Sequence, residues 1–384
     1  MKNSYDLVIV GGGIVGLAAA WAGARRSLSV LVVERSARAN GATVRNFGMV
    51  WPIGQPSGEG LETALRSREL WLEAAAGAGF WSATCGSLHL ARREDEAAVL
   101  HEFLARDGAA RAGVRWVDAD EASERSPAVR REGLLGALWS PHEVCVDPRE
   151  VPGAMAAWLA DEHGVDVAFG TAVARVGDGE VVFAGGGRVQ AGATVVCSGA
   201  ELGALFPDEL SAAPLVRCKL QMMRTVAQPD GWRVGPHLAG GLTLRHYAAF
   251  EDCPTLPDLK ARVAREQPEL DELGIHVMAS QNGLGEVVLG DSHEYGDTFS
   301  PDSDTRIDEL VLIELQRFME LPDWKIAARW SGVYAKCTDG ISHAVAPLPG
   351  VHVLTGLGGA GMTLSFGLAE RFVDGILARL SPRA

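Results

Sequence analysis

One stretch limits what this chain can fold into more than any other. Asp6-Leu-Val-Ile-Val-Gly11-Gly-Gly13-Ile14-Val15-Gly16 is a run of buried-strand residues that ends in Gly-x-Gly-x-x-Gly and passes directly into the Ala-rich segment Leu17–Ala20. Glu34 follows 18 residues after Gly16, at the end of a second apolar run, Ser29–Val33. Strand, turn, helix, strand and acid in this order form the fingerprint of a dinucleotide site. Gly11 permits the tight turn. Gly13 lets the backbone approach a pyrophosphate, and Gly16 lets helix and strand pack closely. The helix start at Ile14 and Val15 offers free N–H groups and the positive end of the helix dipole to phosphates. Glu34 is placed to accept hydrogen bonds from ribose hydroxyls. The plainer alternative is a tight strand–helix turn with no ligand.

The chain has 384 residues, enough for two domains and a large core. Hydrophobic residues make up 47% and charged residues 22%, ordinary for a soluble globular protein. A net charge of −14 argues against a nucleic-acid partner and against an anionic membrane surface. The apolar stretch near the N-terminus is broken by glycines and does not read as a signal peptide. No apolar run reaches transmembrane length. Cys85, Cys145, Cys197, Cys218, Cys253 and Cys337 are scattered, with no Cys-x-x-Cys, and no His pair has zinc spacing. They read as small buried thiols in a reducing cytoplasm, and no metal is expected.

The residue pattern predicts an α/β chain, α+β overall: a Rossmann-like domain with a second domain built on a sheet. Residues 36–60 read as a Gly- and Pro-rich loop carrying Arg45, Asn46, Trp51 and Gln55. Helices are expected over 61–76, over 94–106 with Leu100, Phe103 and Leu104 inward, and from Asp147-Pro148. Ala193–Ser198 reads as another parallel strand. The last strand, Val351–Thr355, leads into a second Gly-rich loop, and a final helix carries Leu364, Leu368, Phe372, Ile376 and Leu380. The dinucleotide domain is therefore expected to be discontinuous (1–79, 146–211 and 326–384). Residues 80–145 and 212–325 would form the second domain.

The fingerprint alone does not separate a nicotinamide from a flavin dinucleotide. The second Gly-rich loop helps, because a helix N-terminus there would stabilise the negative charge of a reduced flavin near its N1 and O2. Close packing is the simpler use of the same glycines. Further segments carry a resemblance: Glu34-Arg35, Gly41-Ala-Thr43-Val44-Arg45-Asn46-Phe-Gly48, Val146-Asp-Pro-Arg-Glu150, Thr171-Ala-Val173, Val195-Val-Cys-Ser198-Gly199-Ala, Trp330–Tyr334, Thr338-Asp-Gly340 and Gly356–Thr363. Together with the fingerprint, and in this order, they resemble the FAD-dependent amine and amino-acid oxidoreductases of the D-amino-acid oxidase and glycine oxidase type. The resemblance implies non-covalent FAD in a Rossmann-like domain of the glutathione-reductase type, roofed by the sheet domain. It implies that Thr43 to Asn46 run along the pyrophosphate and flavin, and that Val173 meets the adenine through its backbone. It also implies that Gly359, Ala360, Gly361, Met362 and Thr363 cradle the pyrimidine edge.

Two departures bear on the substrate. Glycine and D-amino-acid oxidases carry an arginine for the substrate carboxylate where this chain has Tyr334, which offers one hydrogen bond and no charge at neutral pH. Relatives with covalent flavin carry a cysteine where this chain has Gly332; Cys337 is the nearby thiol that could mislead. Lys336, Arg245, His246, Lys219, Arg45 and Arg224, with Trp51 and Gln55, are candidates to surround an anionic substrate instead. The segments Val44–Gln55 and Cys218–Arg224 are similar to FAD oxidoreductases associated with 2-aminoethylphosphonate breakdown. The expected reaction is hydride transfer to flavin N5 from the carbon beside nitrogen in an N-substituted 2-aminoethylphosphonate, with O2 or another acceptor reoxidising the flavin. Two alternatives stay open: oxidation of a secondary or D-amino acid such as sarcosine or glycine, and a flavin-binding module that serves a partner with little turnover.

Overall fold

A computed structural model describes residues 1–107 and 111–380 of the protein. Residues 381–384, expected at the end of the dinucleotide domain, and the side chain of Leu380 lie outside the described residues. The first sheet has eight strands. Its centre is five parallel strands in the spatial order Asp166–Phe169, Val30–Glu34, Ser4–Val10, Arg188–Val196 and Val351–Thr355. Side chains alternate across it with a period of two. Leu7, Ile9, Val30, Val32 and Val195 face a helical layer with Leu17, Trp71, Met155 and Phe366. Val8, Leu31, Val33 and Val196 face the other way, against Val176, Val181 and Leu210. Both faces are covered, which is why these strands read as continuous apolar runs.

The helical layer contains Ile14–Ala24, Glu59–Ala78, Val151–His163 and Gly361–Leu380. The helix expected from Asp147 begins at Val151, because Asp147 is used in a turn ahead of it. Its carboxylate accepts from the Arg149 N–H at 3.1 Å and from the Arg149 guanidinium at 2.9 and 2.6 Å. The last helix lies close against Glu59–Ala78. Trp71 Nε1 donates to Met362 O at 2.7 Å, and Arg66 holds Glu370 through two nitrogens at 2.8 and 2.9 Å. A Cβ on Gly367 would stand 2.4 Å from Thr63 O, so the helices touch backbone to backbone there.

The second sheet has nine strands built around Leu215–Ala227. That strand pairs on one side with Glu286–Gly290 and on the other with Ile326–Cys337, from Leu215 opposite Cys337 to Thr225 opposite Ile326. The sheet continues through Met278–Gln281, His237–Ala239, Ser87–Ala91, Gly136–Ser140 and Arg115–Val117. Helices Glu94–Asp107, Leu256–Glu266 and Thr305–Phe318 help close its core, which includes Leu100, Phe103, Leu259, Val311 and Leu315, with Leu104 partly buried against it. The boundary expected at residue 326 is corrected by this pairing, since Ile326–Cys337 lies in the second sheet. The loop 36–60 holds two single turns, Ala42–Val44 and Pro52–Gly54, and a short strand, Met49–Val50, that pairs with Val144–Val146. Among the described residues no helix is long and apolar enough to cross a membrane.

Filling the helix contact at Gly367 is expected to be costly. Gly367→Val should lower stability by about 3 kcal/mol, the upper end for overpacking, read as a lower urea midpoint with an unchanged slope. An unchanged midpoint would mean that the two helices part freely.

Candidate active site

The first glycine turn has no room for side chains. Gly11 has φ +117°, and a Cβ there would lie 2.3 Å from Cys197 O. At Gly16 it would lie 1.9 Å from Gly11 O. Gly13 caps the following helix with no side-chain hydrogen bond, and no acid lies in the first turn. The Ile14 N–H donates to Thr43 Oγ1 at 3.0 Å, so the loop after the second strand leans over the helix start. Val15, half-buried, is next in that first turn. Glu34 accepts from the N–H groups of Gly12 and Ser36, each at 2.9 Å, and its oxygens keep acceptor capacity for a ribose. Thr171 N–H donates to Glu34 O at 2.8 Å, which starts the strand at Val173 beside that acid. Arg35 is exposed and lies 3.4 Å from Glu201; Ser198 Oγ donates to Glu201 O at 3.1 Å, next to Gly199 with φ +61°.

Asn46 folds the loop beneath it. Its amide donates to Ala42 O at 3.0 Å and Thr43 O at 2.8 Å, and its oxygen accepts from the Gly48 N–H at 2.7 Å. Val44 is half-buried in that turn. Arg45 reaches across to Ser331 O and Asn40 Oδ1, both at 3.0 Å, and so ties the loop to the strand that carries Tyr334.

The second glycine loop turns at Gly356, passes a single turn Gly358–Ala360, and enters the last helix at Gly361 with no acid in the first turn. A Cβ on Gly361 would meet nothing within 4 Å. On Gly359 its neighbours would be Tyr334 atoms, the hydroxyl oxygen at 3.6 Å. Met362 is held through its carbonyl by Trp71, and Thr363 Oγ1 accepts from the Trp51 N–H at 2.9 Å. One helix start with a glycine cradle and a second lined by open glycines suit, respectively, a pyrophosphate and the electron-rich edge of a ring. The residues present therefore fit a flavin dinucleotide. At Gly332 a Cβ would lie 3.1 Å from Arg45 O, too tight for a cysteine linked to a ring. The buried Cys337 thiol donates to Asp339 at 2.9 Å, and burial with that bond holds its pKa above the usual thiol value.

Tyr334 is 9% exposed and stands opposite Cys218 in the sheet. Burial first, then Cys218 and Asp291, push its phenol well above the usual range, so it stays neutral. Lys336 is exposed, and its stem lies against Gly358, 3.2 Å from the position of a Cβ there. Its ammonium is 5.9 Å from the Tyr295 ring centre. His246 stacks on His276 and His293 with ring centres 4.2 and 5.0 Å away, and the His293 ring lies 6.4 Å from that of Tyr334. Tyr334, Lys336 and His246 thus come together, joined by His276, His293, Asp291 and Tyr295. No sequence signal pointed to these last four, because the three histidines sit far apart in the chain at no ligand spacing.

Of the other candidates only Arg245 lines the same cavity as His246 and His293, and its guanidinium is already engaged. Lys219 faces away from Cys218, as adjacent strand residues do; its ammonium donates to Ser300 O at 2.7 Å and Asp302 O at 3.3 Å. Arg245 pairs with Asp271 and donates to Ile275 O at 2.9 Å. Arg224 lies 3.4 Å from Glu286. Trp51 is 3% exposed, its ring packed between those of His89, His237 and Tyr247 at 5.2, 5.8 and 6.1 Å. Gln55 is buried, and its carbonyl accepts from Arg111 at 2.6 Å. Trp51 and Gln55 thus build the wall rather than the anion contacts expected of them.

Burial lowers the pKa of His89 to about 3, and those of His237 and His293 to about 4. Each folded value lies below the unfolded one near 6.5, so the unfolded chain takes up protons first as pH falls. Their contribution is complete above about pH 6.5 and is lost on acidification towards pH 4. Each group should cost about 1.4 kcal/mol per pH unit inside that window. Urea unfolding at pH 7, 6 and 5 should show the loss, and His89→Phe should remove one group's share. An unchanged pH slope in that variant would mean that His89 titrates alike in the folded and unfolded chain. Separately, Gly11→Ala should yield protein with less than a tenth of the normal flavin content, read from absorbance; full flavin content would contradict the cradle.

Residues 6–374 match the family described as FAD dependent oxidoreductase (DAO). A glycine oxidase of Geobacillus kaustophilus (strain HTA426) is 29% identical over 245 residues, which are 59% of this chain and 65% of that protein. The match thus spans a little under two thirds of the curated relative. The crystal structure of glycine oxidase from Geobacillus kaustophilus is similar with a TM-score of 0.76 at 21% identity, over 98% of this chain and 95% of that one. That of L-proline dehydrogenase from P. horikoshii is similar with a TM-score of 0.79 at 19% identity, over 100% and 96%. At these identities the structural likeness speaks for the fold, while the family match takes in both glycine loops and nearly everything between them. The chain belongs to the FAD dependent oxidoreductase family, and its cofactor is FAD.

Proposed function

We propose that this protein oxidises the C–N bond of a small amine that carries an anionic group, with an N-substituted 2-aminoethylphosphonate as the substrate; water then hydrolyses the resulting imine to phosphonoacetaldehyde and an amine. The observation that carries the reading is the exchange of chemistry around Tyr334. The position expected to hold a carboxylate-binding arginine is a neutral, buried phenol. Beside it, Lys336 offers an ammonium, and His246, His276 and His293 offer several separate N–H or lone-pair positions. A carboxylate is served by one two-pronged fork, whereas a phosphonate has three oxygens and up to two charges and calls for several donors.

FAD, when bound, supplies a two-electron acceptor for a hydride from the carbon next to nitrogen. The protein's own work is to hold and orient. Tyr334 OH, beside Gly359, can donate one hydrogen bond at the floor of the site. The buried wall of Trp51, Tyr247, His89 and His237 excludes water from one side. A cationic lysine beside a buried wall favours the uncharged form of a bound amine over the ammonium. No side-chain base is required if the proton leaves the amine on binding.

The glycine oxidase relative supports a second reading, oxidation of a secondary or D-amino acid such as sarcosine or glycine, with Lys336 in place of the missing arginine. A screen of anaerobic flavin bleaching separates the two. N-methyl-2-aminoethylphosphonate should bleach the flavin at least tenfold faster than sarcosine, glycine or proline. Bleaching by the amino acids alone would favour the second reading, and bleaching by none would favour a flavin-binding module without turnover. In single-turnover experiments the bleaching rate should rise with pH, following deprotonation of the substrate amine. A rate indifferent to that ionisation would contradict proton loss on binding.

A further inference from the structure

His246, His276 and His293 reach one point from three places. His246 follows the turn Gly241–Arg245, His276 precedes the strand Met278–Gln281, and His293 follows the strand Glu286–Gly290. The backbone fixes two of these places: the His276 and Asp291 main chains exchange hydrogen bonds at 3.2 and 2.8 Å, and the His293 N–H donates to Leu273 O at 3.1 Å. One ring nitrogen of each histidine lies within 4.8 Å of those of the other two.

Two of the three rings have an oxygen close behind them, and bare nitrogens remain on His276 and His246. His276 Nε2 lies 2.9 Å from Asp291 Oδ1, and His293 Nδ1 lies 3.3 Å from Gly274 O. His276 Nδ1 and His246 Nε2 are buried with no hydrogen-bond partner among the described residues. An unpartnered buried polar atom is costly, and two from one cluster ask for a missing partner. An imidazole with a carboxylate or carbonyl behind it and a bare nitrogen ahead is the arrangement of a metal ligand. Charge points the same way. Asp291 is 3% exposed, and its ion-pair contact among the described residues is the His276 ring alone. A cation on the far side of that ring would add a counter-charge for this buried group.

We propose that His246, His276 and His293 bind one divalent transition metal, zinc foremost, and that its remaining coordination position takes an oxygen of the substrate's anionic group. Three imidazoles and no thiolate suit zinc, nickel or copper over magnesium or calcium. Tetrahedral zinc with bonds of about 2.0–2.1 Å needs donors about 3.4 Å apart, so the rings, stacked at 27–30° to one another, close by about an ångström and turn towards a common point on binding. Three protein ligands leave a fourth position open. A cavity of about 550 Å³ is lined by His246, His293 and Tyr295, and the Lys336 ammonium stands over the Tyr295 ring. The second half of the proposal rests on the reading of an anionic substrate given above.

The test uses the full-length, FAD-loaded protein, stripped of metal and dialysed against buffered zinc. Elemental analysis should find one zinc per chain. His246→Gln and His293→Gln, both at half-buried positions, should each weaken retention at least tenfold while flavin content, which reports the fold, stays normal. Asp291→Asn should weaken it by about 10–100-fold. Methylphosphonate should tighten zinc binding, and zinc should tighten methylphosphonate binding by the same factor. No retained zinc, or equal retention by the histidine variants, overturns the metal site; phosphonate bound by these histidines without metal is then the surviving explanation. Zinc held with no response to methylphosphonate overturns the link to substrate. Anaerobic bleaching of the metal-free and zinc-loaded protein separates this proposal from the broader one. Bleaching by the phosphonate amine in protein that cannot bind zinc sinks the metal alone, while bound zinc with no bleaching by any amine sinks the C–N oxidation.

Discussion

Everything in the cofactor half depends on a contact that no side chain could survive. Gly11, Gly16 and the Cys197 carbonyl meet at distances that leave no space for even a methyl group. That contact lets the helix begin directly above two parallel strands, with its N–H groups aimed beyond the sheet edge. Glu34 then fastens the turn by accepting from the Gly12 N–H, and Thr43 leans over the helix start. An acid in the helix's first turn would compete with phosphate for the same N–H groups, and none is present. Helix polarity, loop position and ribose acceptor all follow from one close approach of backbone to backbone.

The other half is organised by one long antiparallel pairing. Ile326–Cys337 runs beside Leu215–Ala227 along nearly its whole length. Tyr334 is therefore held opposite Cys218, and the same strand presents Gly332 to Arg45 and Lys336 to the second glycine loop. A phenol with a strongly raised pKa in this position is a neutral donor across the physiological range. Its neutrality is what shifts the search for an anion site outward, to Lys336 and the histidines.

Some of this was legible in the sequence and some was not, for physical reasons. Glycines constrained by backbone contact, and strands buried on both faces, leave strong local patterns, so both glycine loops and the parallel strands could be read directly. The second sheet is harder, because its strands pair with distant partners and the pattern of one strand does not name its neighbour. That is why Ile326–Cys337 was expected in the wrong sheet. Lys219 was misjudged for a related reason: a one-residue change in strand parity exchanges one face for the other, and the apolar run around Cys218 hides which face is which. Asp291, His276 and His293 carry no local signal at all. They become neighbours only when two strand ends and a turn converge.

The Arg45 guanidinium spans Asn40 and the Ser331 carbonyl, joining the loop over the helix start to the strand bearing Tyr334. Cofactor geometry thus rests on main-chain carbonyls, amides and glycines, while chemical preference rests on side chains spaced along a single ribbon. Exchanging one residue on that ribbon can retune which molecules are accepted without disturbing the redox apparatus. A scaffold divided in this way can drift among substrates while its reaction stays the same.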